Sequence, residues 1–293
     1  MAKALKNSNL PKKRWKWLKS HNGAFTGKQL IQWLENSENN NGNPIEAAKK
    51  LMTSNFIHPV QQKVTDFRSD GTLYQLAEQT SIKALNSGKM AECAQVEPSQ
   101  LGEQLRKSIK GLYAKFLNEN GTAVDYNGMS NSVEFLEYEK LAIQLQRVDI
   151  SKLSTSGRLA FFINIYNALV IHGQVRRKIP TSFMLRLRFF WCTSYIISGH
   201  VFTLDDIENG VLRGNRKGPA HLFRQFSSKT DPRLRFALPK CEPLIHFALV
   251  CGAKSCPPIK CYTQDKVDEE LRIAAEVSSR TIPFIVFIIY FTN

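Results

Sequence analysis

Apolar positions along this chain recur at helical spacing in several separated stretches. Leu30, Ile31, Trp33 and Leu34 fall on one face at i, i+1, i+3 and i+4, which predicts a helix with Thr26-Gly27 at its start. Ala47, Ala48, Leu51 and Met52 predict a second helix, beyond a loop of asparagines closed by Pro44. Phe56-Ile57-His58 and Leu73–Leu76 read as short strands around the turn Ser69-Asp70-Gly71. Two helices beside small strands make a compact α+β module.

The helical pattern returns at Leu101, Leu105, Ile109, Leu112, Tyr113 and Phe116, and again at Phe135, Leu136, Leu141 and Leu145. Leu159–Gly173 is apolar nearly all round, behind Ser154-Thr155-Ser156 and closed by glycine, so it predicts a central buried helix. Its polar residues Asn164, Asn167 and His172 must find partners or line a cavity, because each costs on the order of 1–3 kcal/mol if buried unpaired. Pinning neighbouring loops and lining a site are both open to them. Tyr195–Thr203 is strand-like with Gly199 at a turn, and Thr203 with Asp206 forms a capping-box pattern for a helix ending near Arg213-Gly214. Leu244–Val250 is a short apolar run carrying His246 and ending at Cys251-Gly252. Such a run suits a strand buried on both faces, though a buried helix fits the same letters. Pro257-Pro258 fixes the backbone beside Cys256. The fold class expected is α+β, a small module followed by a mixed α/β domain around a buried helix.

Composition narrows the classes. With 43% hydrophobic and 22% charged residues the chain is an ordinary globular one. Forty Lys+Arg against 25 Asp+Glu give +15, which favours anionic partners. Six cysteines and a basic N-terminus without an apolar core segment predict reduced thiols, no secretory leader and a cytoplasmic protein, which the tryptophans and cations described next would place at the periphery of membranes. The apolar tail Phe284–Phe291 is far shorter than the ~20 residues a spanning helix needs.

Seven cations (Lys3, Lys6, Lys12, Lys13, Arg14, Lys16 and Lys19) and no acid occupy the first nineteen residues, interleaved with Trp15, Trp17 and Leu18. Tryptophan among lysines suits an anionic headgroup interface, which makes Lys12, Lys13, Arg14, Trp15, Lys16, Trp17 and Lys19 candidate membrane-binding residues. A packed tryptophan in a solvated basic flank gives the same pattern. Arg176, Arg177, Lys178, Arg186 and Arg188 precede Phe189-Phe190-Trp191, as a base-stacking surface would require. Buried aromatics between solvated cations explain the same letters. No helix rich in Arg, Asn or Gln appears in the first module, so no DNA is expected as a partner.

His246, Cys251, Cys256 and Cys261 stand at five-residue intervals, which does not match compact zinc knuckles, and no C-x-x-C pair exists. Neither a metal nor a cofactor is expected. The chemistry these residues allow is a Cys–His nucleophile pair, with Cys256 as thiolate and His246 or His172 as its base. Asn164, Asn167 and Asp206 are candidates to orient that base. Inert buried thiols are the competing explanation.

Two resemblances organise these features. Phe25–Leu34, Ala47–Leu51, Phe56-Ile57-His58, Phe67 and Leu73-Tyr74 resemble a DEP domain, the module of Dishevelled and pleckstrin. The resemblance implies a winged-helix-like fold with a β-hairpin arm, recruited to anionic lipid or to a membrane signalling protein. Ala160–Leu169, Leu204–Glu208, Asp231-Pro232-Arg233, Phe236-Ala237-Leu238, His246–Leu249 and Ser255–Pro258 resemble domain-of-unknown-function family 547. That resemblance carries no activity. It implies a domain continuing past Glu276, so a truncated C-terminus is expected. The organisation expected is a DEP domain over 10–80, a linker over 81–99, the second domain over 100–276 and an atypical apolar tail over 277–293. A signalling adaptor follows from it, with a cysteine-dependent hydrolase or acyl transferase as the alternative.

Overall fold

The computed structural model describes residues 4–5, 8–16, 19–37, 42–53, 56–60, 64, 66–76, 84–87, 96–121, 123–216, 224–226, 231–250 and 260–281. The chain divides into two compact units. The first comprises Met1–Val96 with two later segments, Ile143–Asp149 and Tyr195–Val201. The second comprises Glu97–Ala142, Ile150–Ser194 and Phe202–Asn293. The first unit therefore draws on chain well beyond residue 80.

In the first unit, strands β1 (Lys12–Lys16), β2 (Lys19–Thr26), β3 (Ile57–Pro59) and β4 (Leu73–Leu76) form one sheet in the order β1-β2-β4-β3. Each neighbouring pair is antiparallel, with Phe25 opposite Tyr74 and Ile57 opposite Leu76. The basic stretch is thus an edge strand with a register shift between Lys12 and Arg14, although no apolar alternation within it predicts one. Charge on an edge strand blocks pairing with foreign strands, so part of this basicity has a purely structural use.

Helices α1 (Gly27–Glu35) and α2 (Pro44–Thr53) close the sheet. Thr26 caps α1 as the sequence predicts. Its hydroxyl accepts from the Gln29 amide at 3.2 Å while the Gln29 side chain accepts from the Thr26 amide at 3.0 Å. Phe25, Leu30, Leu34, Ala48, Leu51, Ile57, Tyr74 and Leu76 form the core between them. Gly27 sits where no side chain fits. Its amide donates to the Thr72 carbonyl at 2.9 Å, and a Cβ there would overlap the Arg68 carbonyl oxygen.

One asparagine makes several of the bonds that join the later segments to this unit. Asn86 is buried, donating to the Ile196 carbonyl at 2.9 Å and accepting the Ile196 amide at 2.8 Å. Its own carbonyl accepts from the Gln146 side chain. Arg147 lays its guanidinium 3.8 Å from the centre of the Phe56 ring. Asn86 lies inside the stretch expected to be a linker, and it is held from both sides.

The second unit is helical. Its helices are α3 (Pro98–Lys115), α4 (Tyr126–Ser130), α5 (Val133–Gln144), α6 (Thr155–Arg177), α7 (Phe183–Cys192) and α8 (Val267–Thr281). The hairpin β5 (Ser194–Ile197) and β6 (His200–Thr203), whose residues Tyr195–Val201 belong to the first unit, turns at Ser198-Gly199, both with positive φ, a tight turn that suits a twisted two-strand ribbon. α3 buries Leu101, Leu105, Ile109 and Leu112, as the pattern requires. α5 buries Phe135, Tyr138 and Ala142, whereas Leu136 is 49% exposed and does not belong to the apolar face.

α6 is the buried central helix. Every residue from Leu159 to Gln174 is buried. Ser154 caps its start, accepting from the Gly157 amide at 3.0 Å. Gly173 does not end it, because the helix runs on to Arg177. Gly173 instead makes room, since a Cβ there would lie 2.7 Å from both Phe189 Cζ and Thr193 Cγ2. The run at 244–250 is not a strand either. Pro243–Phe247 forms one 3-10 turn started by Glu242, whose side chain accepts from the Leu244 amide at 3.0 Å. Proline at the first helical position suits that turn and removes a donor a sheet would need. The tail over 282–293 lies outside the described residues.

Candidate functional site

The buried amides of α6 locate the site. Asn167 donates to the Ala248 carbonyl at 2.9 Å and accepts the Val250 amide at 2.9 Å. Asn164, one helical turn earlier, donates to the Tyr262 carbonyl at 2.7 Å and accepts the Tyr262 amide at 3.2 Å. Each side-chain amide therefore uses both a donor and an acceptor on backbone that has no ladder of its own. The chain between Val250 and Tyr262, which carries Cys251, Cys256 and Cys261, is fastened at its two ends to neighbouring turns of one rigid helix. The loop-pinning role holds for both asparagines, and the same bonds fix where the thiol segment starts and finishes.

Asn167→Ala removes both bonds at one end and leaves the Ala248 carbonyl and the Val250 amide buried without them. At ~1–3 kcal/mol per stranded group, the loss of stability is expected to be about 2–4 kcal/mol. Urea denaturation measures it, and limited proteolysis should show cleavage between Val250 and Tyr262 before other sites. An unchanged midpoint and cleavage pattern would mean the clamp is dispensable.

Beside the clamp stands His246, on the Pro243–Phe247 turn, with Arg213 Nη1 at 3.4 Å from its Nε2. Burial, helped by the Arg213 charge, pushes the imidazole down to about 4. A neutral ring beside a permanent cation accepts a hydrogen bond well but is a weak base at neutral pH. It does not supply the imidazolium that would depress a thiol. Cys251, Cys256, Pro257 and Pro258 lie outside the described residues. Among the described cysteines, Cys192, Cys241 and Cys261 are free and half-buried.

His172, the other base candidate, lies elsewhere on α6. Its ring packs edge-on against Phe135 and Tyr138, with Nε2 3.3 Å from Glu139 Oε1, all on α5. Glu139 also takes Arg176, through Nε at 2.8 Å and Nη2 at 2.7 Å. Burial opposes the charge on Glu139, but the hydrogen bonds from His172 and Arg176 outweigh it and hold the carboxyl at about 2. Burial of His172 lowers its own pKa despite the carboxylate. A carboxylate only accepts, so the proton between them belongs to Nε2. His172 thus braces the α5–α6 contact, while Asn167 holds the 248–250 backbone. The structure brings Asn167 and the His246 turn together and leaves His172 apart from them.

A second polar cluster surrounds Asp206, another orienting candidate. The reciprocal bonds with Thr203 are present, the Asp206 amide donating to the hydroxyl at 3.0 Å and the Thr203 amide to Oδ2 at 2.9 Å. The helix that follows, Asp206–Leu212, is wound with π-type spacing. Asp206 Oδ1 accepts from Gln225 at 3.0 Å, and Oδ2 lies 3.0 Å from Arg233 Nη1. Arg233 also pairs with Asp231 at 2.9 Å and covers the Phe226 ring at 4.5 Å. Burial opposes its charge, but Asp231 and Asp206 together raise its pKa. Asp206 is thereby committed to closing this cluster. The Asp231-Pro232-Arg233 block stands out in the sequence, but its link through Arg233 to the Thr203–Asp206 cap does not. The widely separated acids and arginine carried no periodic signal.

In the first unit, Lys12 and Lys13 are exposed on β1. Arg14 is not a free headgroup cation. Its Nε donates to the Ala24 carbonyl at 3.1 Å and its Nη2 to the Gln29 side chain at 3.0 Å, so it ties the hairpin to the cap of α1. The side chains of Trp15, Lys16 and Lys19, and Trp17 entirely, lie outside the described residues. No described helix is long and apolar enough to cross a membrane. No group of three or more His, Cys, Asp or Glu among the described residues could hold a metal.

Two family models match the chain. The domain found in Dishevelled, Egl-10 and Pleckstrin (DEP) matches residues 8–76, closing on the last residue of β4. The family described as protein of unknown function, DUF547, matches residues 150–277, from the turn before α6 into α8. No curated protein matches the chain.

Proposed function

We propose, for a chain that carries a DEP domain ahead of a DUF547 domain, that it is a signalling adaptor brought to membranes by the DEP domain. DEP domains serve in signalling and membrane recruitment. The observation that carries the reading here is the hairpin β1–β2, whose edge strand presents Lys12 and Lys13 to solvent in a segment with no acid. Anionic phosphatidylserine or phosphoinositide is the partner this charge fits, each cation near such a leaflet contributing about 1 kcal/mol. The DUF547 domain is the cargo so placed. A thiol-dependent hydrolase would require a base for Cys256, and a His246 held neutral at about 4 argues against that role for it.

The test is co-sedimentation of the full chain with phosphatidylserine vesicles at low and high salt. Lys12→Gln, Lys13→Gln and Lys16→Gln together should weaken binding by about 3 kcal/mol. Arg14 is kept because it braces the fold. Binding should fade as the Debye length shrinks from ~10 Å at 0.1 M salt toward ~3 Å at 1 M. Binding indifferent to salt and to the three substitutions would sink the electrostatic reading. Absence of vesicle binding would leave recruitment by a membrane protein in its place.

A further inference from the structure

Most large apolar residues among the described ones are hidden, and α7 gathers the largest group of those that are not. Its sequence, FMLRLRFFWC, is mostly apolar, yet Phe189 alone is buried. Phe183 is 72% exposed, Met184 68%, Trp191 54% and Leu185 47%, with Ile179 at 49% on the turn just before. The helix is nonetheless well started, since Ser182 accepts from the Leu185 amide at 3.3 Å. Five large apolar side chains this exposed within the thirteen residues from Ile179 to Trp191 make the kind of apolar surface that marks a docking site.

Its charge says what the partner is. From Arg176 to Cys192 there are five cations and no acid. Arg176 is engaged with Glu139, and Lys178, Arg186 and Arg188 are exposed around the apolar residues. A second copy of the chain would set these cations against their own kind. Nucleic acid would use the aromatic faces but gain nothing from Met184, Leu185 and Ile179, which offer no ring to stack. An anionic bilayer satisfies both halves, with aliphatic and aromatic side chains in the acyl boundary and guanidinium groups at the phosphates. Trp191 is the residue type favoured at that depth.

We propose that α7 and the turn before it are a second membrane-docking surface, one that enters the headgroup layer of anionic lipid. This surface lies in the second unit and does not depend on the DEP domain's recruitment role. It docks by shallow insertion, where the hairpin β1–β2 relies on charge.

The experiment partitions the full chain onto vesicles of equimolar phosphatidylserine and phosphatidylcholine, and onto phosphatidylcholine alone. Phe183→Ser with Met184→Ser should reduce partition roughly thirtyfold or more, because two largely exposed side chains lose their burial in lipid. Arg186→Gln with Arg188→Gln should reduce partition onto the anionic vesicles by a similar factor. Both pairs should keep the wild-type melting midpoint, since none of the four residues is buried. Brominated lipid should quench wild-type tryptophan fluorescence more than that of Trp191→Phe. Wild-type partition by both pairs overturns the proposal, as does binding to neutral vesicles that equals binding to anionic ones. Arginine-dependent binding of single-stranded RNA, with vesicle partition untouched, overturns it in favour of nucleic acid. Loss of partition in the lysine triple variant alone would leave the recruitment role standing and remove this one. Loss in the α7 variants alone would do the reverse.

Discussion

Ile163→Asp is expected to abolish the cooperative unfolding transition of the second unit. Ile163 is fully buried on α6, a helix whose whole circumference from Leu159 to Gln174 is inside. No face of α6 there can rotate toward water to hydrate a carboxyl group. The group would be forced neutral, and even so a buried polar group without a partner costs ~2–7 kcal/mol. The lost isoleucine adds ~2–5 kcal/mol through the missing apolar burial and the misfit left behind. Whole domains are stable by only ~5–15 kcal/mol, so the sum is comparable with all there is. Calorimetry of the full chain, with near-ultraviolet circular dichroism, reads the result. A soluble variant with an unaltered transition would show that α6 is not the centre of the core.

Gly27→Ala should damage the first unit out of proportion to one methyl group. The obstruction is the Arg68 carbonyl, with Tyr74 Cε2 also 3.2 Å away. Backbone cannot step aside like a flexible side chain, because the Arg68 amide donates to the Tyr74 hydroxyl at 2.7 Å and the Lys28 amide to the Asp70 carbonyl at 2.9 Å. Relief requires the 68–72 loop to leave α1, with loss of the Gly27 bond to Thr72 as well. A penalty of about 3 kcal/mol follows from overpacking of ~1–3 kcal/mol together with a broken bond of ~1 kcal/mol. Gly71→Ala is the matched control, with nothing within 4 Å of its Cβ, and should stay within ~0.5 kcal/mol of wild type. Equal midpoints for the two variants would falsify the steric account.

What could be read from the letters was whatever the chain settles locally. The Thr26 cap, the Thr203–Asp206 box, the Gly199 turn and the apolar run of α6 each depend on residues a few positions apart. Both family resemblances survived for a related reason, since they rest on ordered blocks. The failures were non-local. β1 was hidden because its side chains are lysine and arginine, and only pairing with β2 makes it a strand. Gly173 looked like a stop because a glycine late in a helix often is one. Its real neighbours, Phe189 and Thr193, lie at the far end of α7. Leu136 matched the apolar period but faces outward, and Arg14 passed for a surface cation while bracing a cap. The polar interior of α6 was noticed, and the choice between clamp and catalytic residue needed the positions of Ala248, Val250 and Tyr262.

Because Ile143–Asp149 and Tyr195–Val201 belong to the first unit, its completion is delayed during biosynthesis. A module whose parts end at Val96 could close as soon as it left the ribosome. This one cannot, because Ile196 has yet to be made when Asn86 emerges. At ~5–20 residues per second, the 105 residues from Val96 to Val201 impose a wait of roughly 5–20 s. Until then Asn86 lacks its bonds to the Ile196 backbone, and for about the first half of the wait Phe56 also lacks the Arg147 guanidinium that covers its ring. The first unit therefore completes only late in translation, and ribosome-bound chains stalled before residue 201 should hold it open to protease.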